Sequence, residues 1–176
     1  FKYLKEDKFQ SVALPYGNKR ISMYVFLPNE DFSLDEFYDS LTMENWNDWM
    51  SRFTRTEGNI GLPKIKLEYK KNLNDVLKAM GMEVAFDEDR ADFGLMFDRG
   101  SLDENLYIGN VQHKTFLQID EEGAEAAGVT SVEKKSESSQ PLDDEKFTMI
   151  MDRPFFFVIQ DDITGVVLFM GSINKL

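Results

Sequence analysis

Asp152-Arg153-Pro154-Phe155-Phe156-Phe157-Val158-Ile159-Gln160-Asp161-Asp162-Ile163-Thr164-Gly165-Val166-Val167-Leu168-Phe169-Met170-Gly171 is the stretch on which the fold reading turns. Phe155 to Ile159 and Val166 to Met170 are strongly apolar β-type runs, and the Asp161–Gly165 segment between them has the composition of a turn. A similar pair stands near the start of the chain. Phe9 to Tyr16 and Arg20 to Leu27 flank Gly17-Asn18-Lys19, a hairpin signal. In the second of these runs Ile21, Met23, Val25 and Leu27 share one face while Tyr24 and Phe26 take the other. Two apolar faces predict a central strand.

Between these pairs the periodicity changes. Ser33 and Glu36 have capping-box spacing, and the DEFYDSL segment, with Trp46, Trp49, Met50 and Phe53 beyond it, predicts two short amphipathic helices. From Gly58 to Tyr69 the chain alternates, with Ile65, Leu67 and Tyr69 opposite Lys64, Lys66 and Glu68, as in a strand covered on one side. Asn72, with Asp75 three residues on, predicts a capped helix through Met80 ended by a left-handed Gly81. Val111 to Ile119 alternates again, with Val111, His113, Thr115, Leu117 and Ile119 on one face. Residues 133–146 hold no core-forming side chain but Leu142, so they predict an exposed loop. Helices and strands in this order give an α+β class.

Composition limits the function. The 176 residues are 42% apolar and 13% aromatic, enough for a core. Net charge is −12, so the chain lacks the basic surface that binding to nucleic acid, or to an anionic membrane, requires. With no cysteine, disulfides, thiolate metal sites and a cysteine nucleophile are excluded within the chain. No apolar run approaches the roughly 20 residues of a membrane span, nothing at the start reads as a signal peptide, and Phe1 in place of Met predicts that the true N-terminus is missing.

Catalytic chemistry finds little support. His113 is the lone histidine, and its place on the apolar face of an alternating strand reads as a structural, hydrogen-bonded side chain rather than a general base. The Asp87–Asp92 run places its oxygens and glycine wrongly for a calcium loop and reads as a solvated turn. Gly100, Gly109 and Gly123 are isolated, so no phosphate-cradling motif forms. The reading is a non-enzyme without cofactor or metal.

Two segments carry a resemblance. Ile119-Asp120-Glu121-Glu122-Gly123-Ala124-Glu125-Ala126-Ala127-Gly128-Val129-Thr130 resembles the reactive-loop hinge of the serpins, and the DRPFFF and GVVLFMG stretches resemble that family's C-terminal signature. Leu14-Pro15-Tyr16-Gly17, Leu62-Pro63-Lys64 and His113-Lys114 keep the family's order. The resemblance runs from about Phe9 to the end. It implies the serpin fold, a large mixed sheet plus smaller sheets with helices, of which residues 1–176 would be the C-terminal part of a single domain. The N-terminal half of the same serpin would be absent, and residues 124–146 would be the reactive-centre loop.

The same resemblance implies a serine-type endopeptidase inhibitor acting as a suicide substrate, its partner a serine or cysteine protease held as an acyl-enzyme while the cleaved loop enters the large sheet. The sequence fits that demand. Counting from Ala124, one face of an inserted strand carries Ala124, Ala126, Gly128, Thr130, Val132 and Lys134, small or apolar until its last member, and the other carries Glu125, Ala127, Val129, Ser131, Glu133 and Lys135. Small side chains on the first face let a sheet open with little steric resistance. Residues Glu121, Glu122, Gly123, Ala124, Glu125, Ala126, Ala127 and Gly128 are therefore the expected hinge. Lys64 and Glu121 match the salt bridge where the loop enters, and His113-Lys114 the segment near the sheet's opening point.

For the scissile bond, the family's spacing forward from Gly123 gives Glu137–Ser138, whereas counting back from Pro154 ends near Asp143. The forward count is preferred because that segment has to span the sheet. Glu137 suits a glutamate-preferring protease, and Lys134 or Lys135 a trypsin-like one. The alternative function is a non-inhibitory relative acting as carrier, chaperone or storage protein, a class that tends to carry bulky or charged residues where this chain has Ala124, Ala126 and Gly128. The sequence assigns no compartment; family habit leans extracellular.

Overall fold

A computed structural model describes residues 1–96, 105–119 and 146–175, in two compact units: Phe1–Lys64 with Ile119–Leu176, and Ile65–Gln118.

The first unit is built on a six-stranded sheet. Its strands are β1 (Lys2–Lys5), β2 (Phe9–Tyr16), β3 (Ile21–Pro28), β4 (Thr54–Arg55), β9 (Phe155–Asp161) and β10 (Val167–Ile173), in the order β10-β9-β3-β2-β1-β4 with each neighbour antiparallel. The hairpin expected at Gly17-Asn18-Lys19 forms: Gly17 and Lys19 adopt positive φ of 42° and 65°, and the Lys19 N–H donates to the Tyr16 carbonyl at 2.7 Å. As the apolar faces of β3 predict, that strand is central. Met23, Tyr24, Val25, Phe26 and Leu27 are all buried.

Helices α1 (Leu34–Ser40) and α2 (Met43–Arg52) cover one face of this sheet. The capping box is present in full, since the Ser33 side chain accepts the Glu36 N–H and the Glu36 carboxylate accepts the Ser33 N–H. Thr42 caps α2 in the same manner through the Asn45 N–H. Phe9, Phe26, Phe37, Trp49 and Phe156 form the centre of the core, with Phe37 and Trp49 stacked at 5.8 Å. Burying aromatic rings of this size is the main stabilising term available to the unit.

The far end of the sheet is held by a polar cluster. Arg20 donates through Nε and Nη2 to Asp161 Oδ2 at 3.0 and 2.8 Å, while Ser22 Oγ and Tyr24 OH donate to the two oxygens of Asp162 at 2.6 and 2.9 Å. The Arg20 guanidinium, helped by the Ile163 N–H, holds the Asp161 carboxyl below its ordinary value. Burial, then the bond to Asp162, pushes the Tyr24 phenol well up. A depressed carboxylate stabilises the fold above its unfolded pKa of about 3.9, and that contribution is lost as the pH falls through the lower folded value. Asp161→Asn is therefore expected to flatten the dependence of thermal midpoint on pH below about pH 4. Parallel curves for the variant and the parent would count against this coupling.

The strand expected from Gly58 to Tyr69 is two strands. β5 (Gly58–Gly61) and β6 (Ile65–Asn72) are separated at Leu62-Pro63-Lys64, because Pro63 has no N–H to continue a ladder. β5 pairs in parallel with β8 (Phe147–Ile150). β6 belongs to the second unit, where it pairs with β7 (Gln112–Ile119) in a two-stranded sheet. One-sided cover is not found there either. Ile65 is buried, but Leu67 and Tyr69 are 38% and 52% exposed.

After β6, the Asn72 side chain accepts the Asn74 N–H at 2.8 Å, and the helix begins one residue later than expected. It is also shorter: α3 (Asn74–Leu77) widens into a π-type turn over Lys78–Met82 and a 3₁₀ turn over Glu83–Phe86. Gly81 takes the left-handed φ of 98° expected of it. The acidic run closes as a turn, with Asp87 Oδ1 accepting the N–H groups of Asp89 and Arg90 and Asp87 Oδ2 paired with Arg90 Nε.

Candidate functional site

The expected hinge, Glu121 to Gly128, and the expected scissile pair, Glu137 and Ser138, lie outside the described residues. The described residues that flank them in sequence are β7, which ends at Ile119, and Lys146.

On the leading side, His113 and Lys114 sit on β7 and both are exposed. The expectation of a histidine within an apolar face is corrected in part. His113 is hydrogen-bonded, a ring nitrogen standing 2.7 Å from Thr115 Oγ1, and its ring meets the edge of Tyr69 at 6.3 Å. It is exposed rather than buried. β7 pairs on one edge with β6, and among the described residues no strand occupies its other edge. Lys64 lies exposed in the break between β5 and β6, and Glu121, its expected partner, lies outside the described residues.

On the return side the chain is fixed firmly. The Phe147 N–H donates to the Glu57 carbonyl at 3.1 Å and the Met151 N–H to the Gly61 carbonyl at 2.8 Å, bracketing the β5–β8 ladder. The Phe147 ring stacks on Tyr3, with centroids 3.9 Å apart and planes 8° from parallel, and Met149 is fully buried. Lys146 and Glu57 form a solvated ion pair at 3.2 Å, which adds little. Beyond β8, Arg153 Nε donates to the Pro28 carbonyl at 2.8 Å and joins the return to the central strand.

The strand β8 directly follows the expected loop 133–146 and is not among the strands that the sequence predicts. Its signal was present: Phe147, Met149 and Met151 alternate with Thr148 and Ile150, and the alternation matches the buried and exposed positions of the strand. Gly58 explains why β8 fits where it does. A Cβ at Gly58 would lie 2.2 Å from the Phe147 ring, a distance no packing tolerates. Gly58→Ala is expected to displace Phe147 and destabilise the fold by about 1–3 kcal/mol, read as a lower denaturation midpoint at unchanged m-value. An unaltered midpoint would show that Phe147 does not clamp this end.

Taken unit by unit, β7 has one edge without a strand neighbour among the described residues, and the β5–β8 ladder fixes the chain where it resumes after Lys146. Comparison with known proteins bears directly on both. The protein-family model described as Serpin (serine protease inhibitor) matches residues 1–176. Serpin B8 of Homo sapiens is 34% identical over 175 residues, covering 98% of this chain and 45% of that protein. Serpin B10 of Otolemur garnettii is 33% identical over 171 residues, covering 96% and 41%. Among solved structures, a thermophilic serpin, tengpin, in its native state matches with a TM-score of 0.77 and 34% identity over 99% of this chain and 44% of that one. The chain therefore spans less than half the length of these relatives.

Proposed function

Because this chain belongs to the serpin family, whose members are generally protease inhibitors rather than enzymes, we propose that it forms the C-terminal part of a suicide inhibitor of serine-type endopeptidases. The observation that carries the reading is the alternation of small side chains from Ala124 to Thr130, which in sequence follows β7 after residues 120–123; β7 is a strand whose second edge has no neighbour among the described residues.

In this reading a protease serine attacks the carbonyl of Glu137, the bond to the Ser138 nitrogen breaks, and an ester joins Glu137 to the enzyme while Ser138 becomes a new N-terminus. The freed hinge then becomes a strand of the large sheet. Each ladder hydrogen bond contributes about 0.5–1.5 kcal/mol net, so a dozen supply on the order of 10 kcal/mol, comparable to the whole stability of a domain. The β8 clamp supports this division of labour: the part after the scissile bond stays fixed while the part before it travels. Lys64 paired with Glu121 would restrain entry, and His113-Lys114 would mark where the sheet opens.

The remainder of a serpin domain is the second partner in this proposal. Val166, Leu168, Phe169 and Met170, at and before the edge strand β10, are 45–62% exposed, and an apolar edge of that kind requires cover. Ala124, Ala126 and Gly128 argue against the carrier, chaperone or storage alternative. Incubating the intact protein with a panel of serine proteases tests the reading: a denaturant-resistant complex is expected, with a released peptide beginning at Ser138. Clean cleavage without complex would favour the non-inhibitory alternative.

A further inference from the structure

The edge contact between Tyr69 and His113 puts the odd-numbered residues of β6 and β7 on one face of the ribbon. The even-numbered ones share the other, where Lys66, Glu68, Lys70, Lys114 and Phe116 are all exposed. This face carries three lysines against one glutamate, a net +2 in a chain of net charge −12. Among the described residues none of the three lysines forms an ion pair. The Leu73 N–H donates to the Val111 carbonyl at 2.9 Å, and Lys70 and Lys114 each stand three residues from that bond on the same face. Like charges on neighbouring strands of one face are mutually unfavourable, and an anion bound among them offsets that repulsion.

Phe116 is the second observation. A solvated strand face is expected to be polar throughout, yet this ring is 56% exposed among lysines and amides. An aromatic ring with cations beside it provides an apolar anchor and a polar rim, the composition of a recognition surface.

We infer that the even-numbered face of β6–β7 is a docking surface for a short acidic polypeptide segment bearing an apolar side chain, with carboxylates over Lys66, Lys70 and Lys114 and the apolar group on Phe116. A long polyanion fits less well. Sulfated polysaccharide or nucleic acid needs more cations than the three lysines this face offers in a chain of net charge −12. The inference stands on this face alone and does not depend on protease inhibition.

The test is fluorescence anisotropy of the intact protein with a glutamate-rich peptide holding one central phenylalanine, beside the same peptide with alanine there, heparin, and a single-stranded oligonucleotide. The phenylalanine peptide is expected to bind best and to weaken as salt is raised. Lys66→Gln with Lys70→Gln should weaken it about tenfold, the effect of two modest charge contacts. Phe116→Ser should erase the preference for phenylalanine over alanine. Unchanged thermal midpoints will show that these exposed substitutions leave the fold intact. The inference is overturned if the variants bind the peptide as the parent does, if neither peptide binds, or if heparin or the oligonucleotide binds in the peptide's place.

Discussion

Ala124→Arg is expected to abolish nearly all of the denaturant-resistant complex with a target protease while leaving cleavage of the loop intact. In the proposed mechanism Ala124 heads the alternating face that would enter the sheet, and it would be the first side chain to pass between the parting strands. Arginine there adds volume, and burying its charge without a partner costs several kcal/mol. Trapping is a race between insertion and hydrolysis of the acyl-enzyme. Each 1.36 kcal/mol added to the insertion barrier slows it tenfold, so a penalty of that size hands the race to hydrolysis. The variant should behave as a substrate, with free protease and cleaved protein accumulating together. A complex yield equal to the parent's would remove the insertion reading, whatever the family.

The second large effect concerns the scaffold. Phe26 is fully buried on the central strand β3 and lies against Phe9, Phe37, Trp46, Trp49 and Phe156. Removing a ring from such a site forfeits its transfer energy and leaves a cavity that five neighbouring rings cannot all collapse to fill. Phe26→Ala is expected to destabilise by about 3–5 kcal/mol, a large share of the 5–15 kcal/mol typical of a domain. The check is the denaturant midpoint of the intact protein, with Phe26→Leu expected to lose much less. Equal midpoints for Phe26→Ala and the parent would mean that the cluster is not the core.

The parts legible in the sequence are those whose causes are local. The Ser33–Glu36 box, the Gly17-Asn18-Lys19 hairpin and the left-handed Gly81 each follow from a few neighbouring residues, and each forms. The double apolar pattern of β3 likewise required its central position. What was illegible depends on partners remote in sequence. Leu67 and Tyr69 alternate as if covered, yet no sequence pattern says whether a covering layer lies in the same unit. The break at Pro63 was locally signalled but outweighed by alternation running across it. Asp161 and Asp162 looked like turn residues; their bonds to Arg20, Ser22 and Tyr24 reach back about 140 positions. For the site, the motif order placed the hinge within the chain, while the β8 clamp emerged only from the packing of Phe147 on Gly58 and Tyr3.

The central claim is that the segment from Ala124 to Thr130 leaves solvent and becomes a strand once the loop is cut. Amide hydrogen exchange over these residues in the intact protein, before and after a single cleavage of the loop, measures that event most directly. Strong new protection at Ala124 to Thr130, together with a higher melting temperature, is the expected result. Exchange in the cleaved protein as rapid as in the uncut one would contradict it.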